Sequence, residues 1–121
     1  MTGRQANRST DRVRRILAQL IGKELRDPRV GFVTLTDVKL SPDRRHALAF
    51  VTVMDRGRQE ASLDALNHAA PFLRRMLAQR AGLRFTPELK FLADDVIESG
   101  LRLERIFDDM REGWNRGEEE H

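Results

Sequence analysis

The sequence predicts one α+β domain: helices packed on one face of a three-stranded sheet, with a further helix appended at the C-terminal end. Three observations point there. Apolar residues recur at helical spacing before residue 28 and again from residue 60 onward. Between these stretches lie two segments rich in Val, Thr, Leu and Ala, residues 32–40 and 46–54, joined by Ser41-Pro42-Asp43. Neither a hairpin nor any one of these helices can bury its apolar face alone, so they must share a core. A chain of 121 residues fits one such domain.

Met1 to Arg8 has no periodicity and reads as a flexible basic arm, residues 1–8. Ser9 or Thr10 then offers an N-cap, with Asp11 in the first turn of the first helix. Val13, Ile16, Leu17, Leu20 and Ile21 make its apolar stripe, and Arg12, Arg15, Gln19 and Arg26 fall opposite. Asp27-Pro28 ends it, because the residue before proline is pushed out of the helical region. Phe32 to Leu40 reads as a strand and Ser41-Pro42-Asp43 as a turn. His46 to Met54 is the second strand, with Leu48, Phe50 and Met54 on one side and Val51 and Val53 on the other. Across so short a connection the two form a hairpin.

Residues 60–82 form a long helical pattern through Leu63, Leu66, Ala70, Leu73 and Leu77. Pro71 interrupts it by deleting a hydrogen bond and crowding the Asn67 carbonyl. The pattern therefore reads as two helices with a break at Ala69-Ala70-Pro71, the second ending at Gly82. Arg84 to Pro87 leads into a short strand, Leu89 to Ala93. Asp94-Asp95 suits the start of a last helix, with Val96, Gly100, Leu103, Phe107, Met110 and Trp114 as its stripe. The organisation expected is an arm (1–8), a folded domain (9–94), a C-terminal helix (95–115) and a disordered acidic tail (116–121). Of the aromatic residues Phe32, Phe50, Phe72, Phe85, Phe91, Phe107 and Trp114, at least five are expected in the core, leaving no base-stacking platform. Trp114 is expected to pack the last helix back on the domain.

Composition narrows the function. The formal net charge is +3, but it is unevenly spread: residues 1–15 carry five arginines against Asp11, whereas residues 94–121 hold ten acids. The two ends have opposite preferences for a polyanion. Arginine dominates the basic residues, which fits a planar fork for phosphate and fits genomic base composition equally. There is no cysteine, hence no disulfide and no thiol chemistry. No apolar run approaches the ~18 residues of a membrane span, and no signal-peptide pattern is present, so a cytoplasmic chain is expected. His46, His68 and His121 lack metal-ligand spacing. The adjacent pairs Asp94-Asp95 and Asp108-Asp109 diverge within a regular element, and no nucleotide-binding or nucleophile motif appears. No metal, cofactor or catalytic centre is expected.

The continuous stretch Leu25 to Asp43, together with Phe72-Leu73-Arg74 and Pro87-Glu88-Leu89-Lys90-Phe91, resembles the ribosome-binding factor A family, over roughly residues 8–107. The element order matches the type II KH arrangement of bacterial KH domains. Such domains normally clamp nucleic-acid backbone with a GXXG loop, which this chain lacks. The resemblance implies a kink in its place, Ala-x-Gly in the family. The matching positions are Ala69, Ala70 and Pro71, with proline where the family has glycine.

The resemblance further implies a non-catalytic RNA-binding chaperone. It would bind the free 30S subunit late in assembly and assist maturation of 16S rRNA near its 5′ end. It would act in the cytoplasm beside ribosome-associated GTPases, with a link to growth at low temperature; the sequence carries no mark of an oligomer, so a monomer is expected. Phosphate neutralisation and shape recognition then put basic side chains first. Arg4, Arg8, Arg12 and Arg15 are the leading candidates; Arg26 and Arg29 flank Pro28; Arg74, Arg75, Arg80 and Arg84 follow the kink; and Lys90 lies on the last strand. The alternative is a KH-like adaptor acting through protein partners, in which the stripe from Val96 to Trp114 is the docking face.

Overall fold

The computed structural model describes residues 2–24, 30, 32–98 and 103–119, with side chains for 8–22, 30, 32–96 and 103–112. Helix α1 spans Thr2–Gln19 and continues as a π-helical turn, Leu20–Glu24. Strands β1 (Val33–Leu40) and β2 (His46–Val53) follow, then a single 3₁₀ turn and helix α2 (Gln59–Ala81). Strand β3 (Glu88–Ala93), the short helix α3 (Asp95–Glu98) and helix α4 (Leu103–Glu119) complete the chain. The sheet order is β1-β2-β3. β1 and β2 are antiparallel, and β2 and β3 are parallel because α2 carries the chain back to the starting end.

The expected helix start is corrected: α1 begins at Thr2, not at a cap at Ser9 or Thr10. No proline interrupts this stretch, and Gln5, Ala6 and Arg8 are good helix formers, so the helix extends through them. Val13 and Leu17 on α1 and Leu20 in the π-helical turn are fully buried, as expected.

The break at Ala69-Ala70-Pro71 is also corrected: α2 runs unbroken through Pro71. Leu66, Ala70, Leu73 and Leu77 are buried on one face, which holds the helix together on both sides of the proline. Pro71 itself is exposed, and what it costs the helix is the hydrogen bond to the Asn67 carbonyl. The small side chains of Ala47 and Ala49 on β2 lie in the same core cluster as Ala70, which lets helix and sheet approach closely.

β2 is apolar on both faces. Ala47, Ala49, Val51 and Val53 face the cluster shared with α1 and α2. Leu48 and Phe50 face the other way, where Phe107 of α4 meets them together with Leu92, Val96, Leu103, Ile106 and Met110. The appended helix is therefore a third layer over the second face of the sheet. The stripe that an adaptor would offer to a partner is taken up inside the fold, as far as its side chains are described.

Two smaller features fix the sheet. Thr36 forms a bulge in β1, between Leu35 and Asp37, and its hydroxyl donates to Asp94 Oδ1 at 2.8 Å. The Asn67 amide acts as a surrogate strand: it accepts from Phe91 N–H at 2.8 Å and donates to Phe91 C=O at 3.1 Å. The outer edge of β3 is thereby paired by a helix side chain.

The aromatic expectation is corrected as well. Phe50, Phe91 and Phe107 are buried, but Phe32 is 86% exposed, Phe85 67% and Phe72 39%. Met54 lies just past the end of β2 and is 83% exposed, so it is not part of an apolar strand face. Trp114 lies outside the residues whose side chains are described.

Candidate nucleic-acid interface

One end of the sheet brings Arg44 and Arg84 to a common cavity. It is built from the β1–β2 turn, the loop between α2 and β3, and α1 around Ser9. In the turn, Ser41 N–H donates to His46 C=O at 2.9 Å and Arg44 N–H to Ser41 C=O at 2.9 Å. Pro42 presets the first corner, and Arg44 closes it in the left-handed region, at φ 63°. A non-glycine residue there carries about 1 kcal/mol of strain, and the result is that Arg44 and Arg45 project from the tip, both exposed.

Asp43 organises this turn. Its Oδ1 accepts from Ser41 Oγ at 2.6 Å and from Arg45 N–H at 3.0 Å. Arg111 of α4 approaches Oδ2 at 3.7 Å. The Ser41 and Arg45 hydrogen bonds, with smaller contributions from His46 and Arg111, hold its carboxyl below the usual aspartate range. His46 is buried beneath the turn, with its N–H on Ser41 Oγ at 3.1 Å and its Nε2 at 3.7 Å from Glu88.

The loop from Gly82 to Pro87 faces the turn across a cavity of about 380 Å³. Gly82, at φ 60°, ends α2 in the left-handed conformation that glycine adopts without a Cβ penalty. Two arginines clip this loop at its ends. Arg12 Nη1 donates to the Ala81 carbonyl at 3.1 Å, and Arg74 donates to the Thr86 carbonyl through Nε at 3.2 Å and Nη2 at 3.0 Å. Arg84 lies over the Phe85 ring, 5.7 Å from its centroid.

The candidates thus separate into roles. Arg84 and Arg8, the latter next to the cavity-lining Ser9, are exposed at this end and free to meet a ligand's phosphates. Arg12 is exposed but ties α1 to the end of α2, and half-buried Arg74 holds the loop from inside. Arg15 is exposed further along α1; Arg80 is exposed in the last turn of α2; Arg75 shares the outward face of α2 with Pro71. Lys90 is half-buried opposite Leu48, on the sheet face that α4 covers, and does not join the cluster. The side chain of Arg4, and Arg26 and Arg29 altogether, lie outside the described residues. Ala69 is half-buried, Ala70 buried and Pro71 exposed, inside an unbroken helix.

Sequence reasoning missed Arg44, Arg45, Phe85 and Arg111. A signal existed for three of them. Two arginines directly after Pro42-Asp43 must sit on a turn, and Phe85, flanked by Arg84 and Thr86-Pro87, belongs to no apolar stripe. Nothing local marks Arg111, whose place depends on how α4 packs.

Among the described residues, no cluster of His, Asp or Glu is arranged to hold a metal ion, and no helix is long and apolar enough to cross a membrane.

Comparison with known proteins gives a consistent picture. The ribosome-binding factor A family matches residues 5–107. Ribosome-binding factor A of an Azoarcus strain is 47% identical over 107 residues, 87% of this chain and 84% of that protein. The Heliobacterium modesticaldum protein of the same name is 41% identical, over 91% of this chain and 92% of its own. The crystal structure of ribosome-binding factor A from Thermus thermophilus superposes with a TM-score of 0.68 at 31% identity, covering 74% of this chain and 94% of that one. A homology model of the Thermus thermophilus factor, as fitted into the cryo-EM map of its complex with the 30S subunit, gives a TM-score of 0.62 at 32% identity, covering 72% and 92%. The fold, the match along most of the chain and these relatives agree: the chain belongs to the ribosome-binding factor A family, a family of non-catalytic ribosome assembly factors.

Proposed function

We infer that this protein binds the free 30S subunit in the cytoplasm and assists the late maturation of 16S rRNA around its 5′ end. It acts by holding RNA in place and performs no bond chemistry. The observation that carries the reading is the arginine-rimmed end of the sheet. Arg44 and Arg84 line one cavity from the turn and from the loop that Arg12 and Arg74 brace, and exposed Arg45 and Arg8 are the chain neighbours of Arg44 and of the cavity-lining Ser9. Phosphate contacts of this kind supply most of the affinity for folded RNA and make it depend on salt. The complex of the Thermus thermophilus factor with the 30S subunit supports the choice of partner.

The test is co-sedimentation of the tagged protein with ribosomal particles at two salt concentrations. Co-migration with free 30S subunits, absence from the 70S peak and loss at high salt are expected. The paired variant Arg44→Gly/Arg45→Gln should weaken 30S binding and flatten its salt dependence without lowering the thermal midpoint, since glycine suits the left-handed position at 44. A folded wild-type protein that meets no subunit at low salt would overturn the reading.

A further inference from the structure

We propose that the cavity between the β1–β2 turn and the Gly82–Pro87 loop is a pocket for one unpaired nucleobase. The inference rests on the RNA-binding reading above and narrows it: the RNA engaged at this end is single-stranded or bulged, not duplex.

The lining is the first reason. Half-buried Leu40 and Leu83 and exposed Phe85 form its apolar surface, with the fully buried Pro87 behind them. Such a surface has nothing to offer a phosphate, whose oxygens need donors, but it suits the flat face of a base. The cavity, about 380 Å³, falls within the ~300–1,000 Å³ usual for small-molecule sites.

Phe85 is the second reason. A large aromatic side chain left 67% exposed in a loop contributes little to the core. Its loop is nevertheless held at both ends, by Arg12 on Ala81 and by Arg74 on Thr86. An exposed ring on a braced loop is ordered before a ligand arrives, so little freedom is lost when a base stacks on it. Arg84, already over that ring, extends the stacking surface with a delocalised cation.

Charge supplies the third reason. Arg44 and Arg84 both line the cavity, each exposed, one on the turn side and one on the loop side. The acid that also lines it, Asp43, is engaged by Ser41, Arg45 and Arg111. A nucleotide seated by its base therefore finds a cation for the phosphates on either side. A paired nucleotide keeps its base in the stack, and an A-form helix cannot deliver one into such a pocket.

The test uses the full chain and a short RNA oligomer containing one 2-aminopurine, compared with the same oligomer annealed to its complement, across a salt series. Wild-type protein should bind the single strand roughly tenfold more tightly than the duplex, and 2-aminopurine fluorescence should change on binding. Phe85→Leu should lose roughly tenfold in single-strand affinity, with an unchanged slope of log affinity against log salt and an unchanged thermal midpoint. Arg84→Gln should reduce that slope. Equal wild-type affinity for strand and duplex, or a Phe85→Leu variant that binds the strand as wild type does, would overturn the pocket. The two readings fail separately. Wild-type co-sedimentation with 30S subunits beside an indifferent Phe85→Leu variant overturns the pocket alone. Lost co-sedimentation of the wild type overturns the wider reading, and the oligomer assay needs no subunit.

Discussion

Asp43 illustrates how one side chain can serve stability and placement together. Its carboxylate gathers Ser41 Oγ, the Arg45 N–H and Arg111, and these partners favour the charged form. A carboxyl held below its unfolded value contributes stability that is present above that value and is lost as pH falls through the folded one. Asp43→Asn should therefore lower the thermal midpoint near neutral pH. The gap to wild type should narrow once pH drops below about 4, the unfolded aspartate range. Melting curves from pH 7 to pH 3 check this, and a gap that stays constant across the series would mean the carboxylate charge is not what matters. Residue roles were the least legible part of the sequence. That Arg12 and Arg74 are basic is plain from the chain, yet each donates to a carbonyl 69 and 12 residues away. No local pattern encodes such a partner. Phe85 was counted only within the aromatic group, because apolar character alone does not say whether a loop leaves a side chain inside or out.

At the scale of elements the sequence was far more readable. The strand bounds observed, Val33–Leu40, His46–Val53 and Glu88–Ala93, lie within a residue of those expected, because β-branched content and turn residues are local signals. The pairing followed from the short connection. The correction to α2 has a clear cause. Propensity argued for a broken α2, and buried leucines on both sides of Pro71 outweighed it. Since the helix is continuous and Pro71 exposed, Pro71→Ala should restore a hydrogen bond and a better helix former. A gain of about 1–3 kcal/mol is expected by urea unfolding. A loss instead would show that the surrounding packing is fitted to a bend at this position. Such a variant also separates rigidity from RNA contact, because it changes no charge.

Over the whole molecule, charge and layer order are linked. α4 carries Glu104, Asp108, Asp109 and Glu112 against Arg105 and Arg111 within its described side chains, and it covers one face of the sheet. The arginine-rich end lies at one end of the sheet, and among the described residues Arg111 connects the two regions, through Asp43. A polyanion is repelled from the covered face and steered to the turn and loop. The cover itself is thin: among the described residues, the fully packed part of this second cluster is Leu48, Phe50 and Phe107. Phe107→Ala should cost about 3 kcal/mol and raise the binding of a hydrophobic dye, while the salt dependence of RNA affinity stays as it was. Equal dye binding in the variant would mean that α4 closes over the gap. The doubly apolar β2 has a further consequence, in the order of events during synthesis. The chain emerges from its amino end at about 5–20 residues per second, so β2 is made well before β3 and α4 exist. The partners of its first face, α1 and α2, are both complete before β3 and α4. The second face, Leu48 and Phe50, has no cover until the last stretch of chain has left the exit tunnel. A nascent chain stalled short of residue 107 would display that bare surface to chaperones, and release of the final helix would withdraw it.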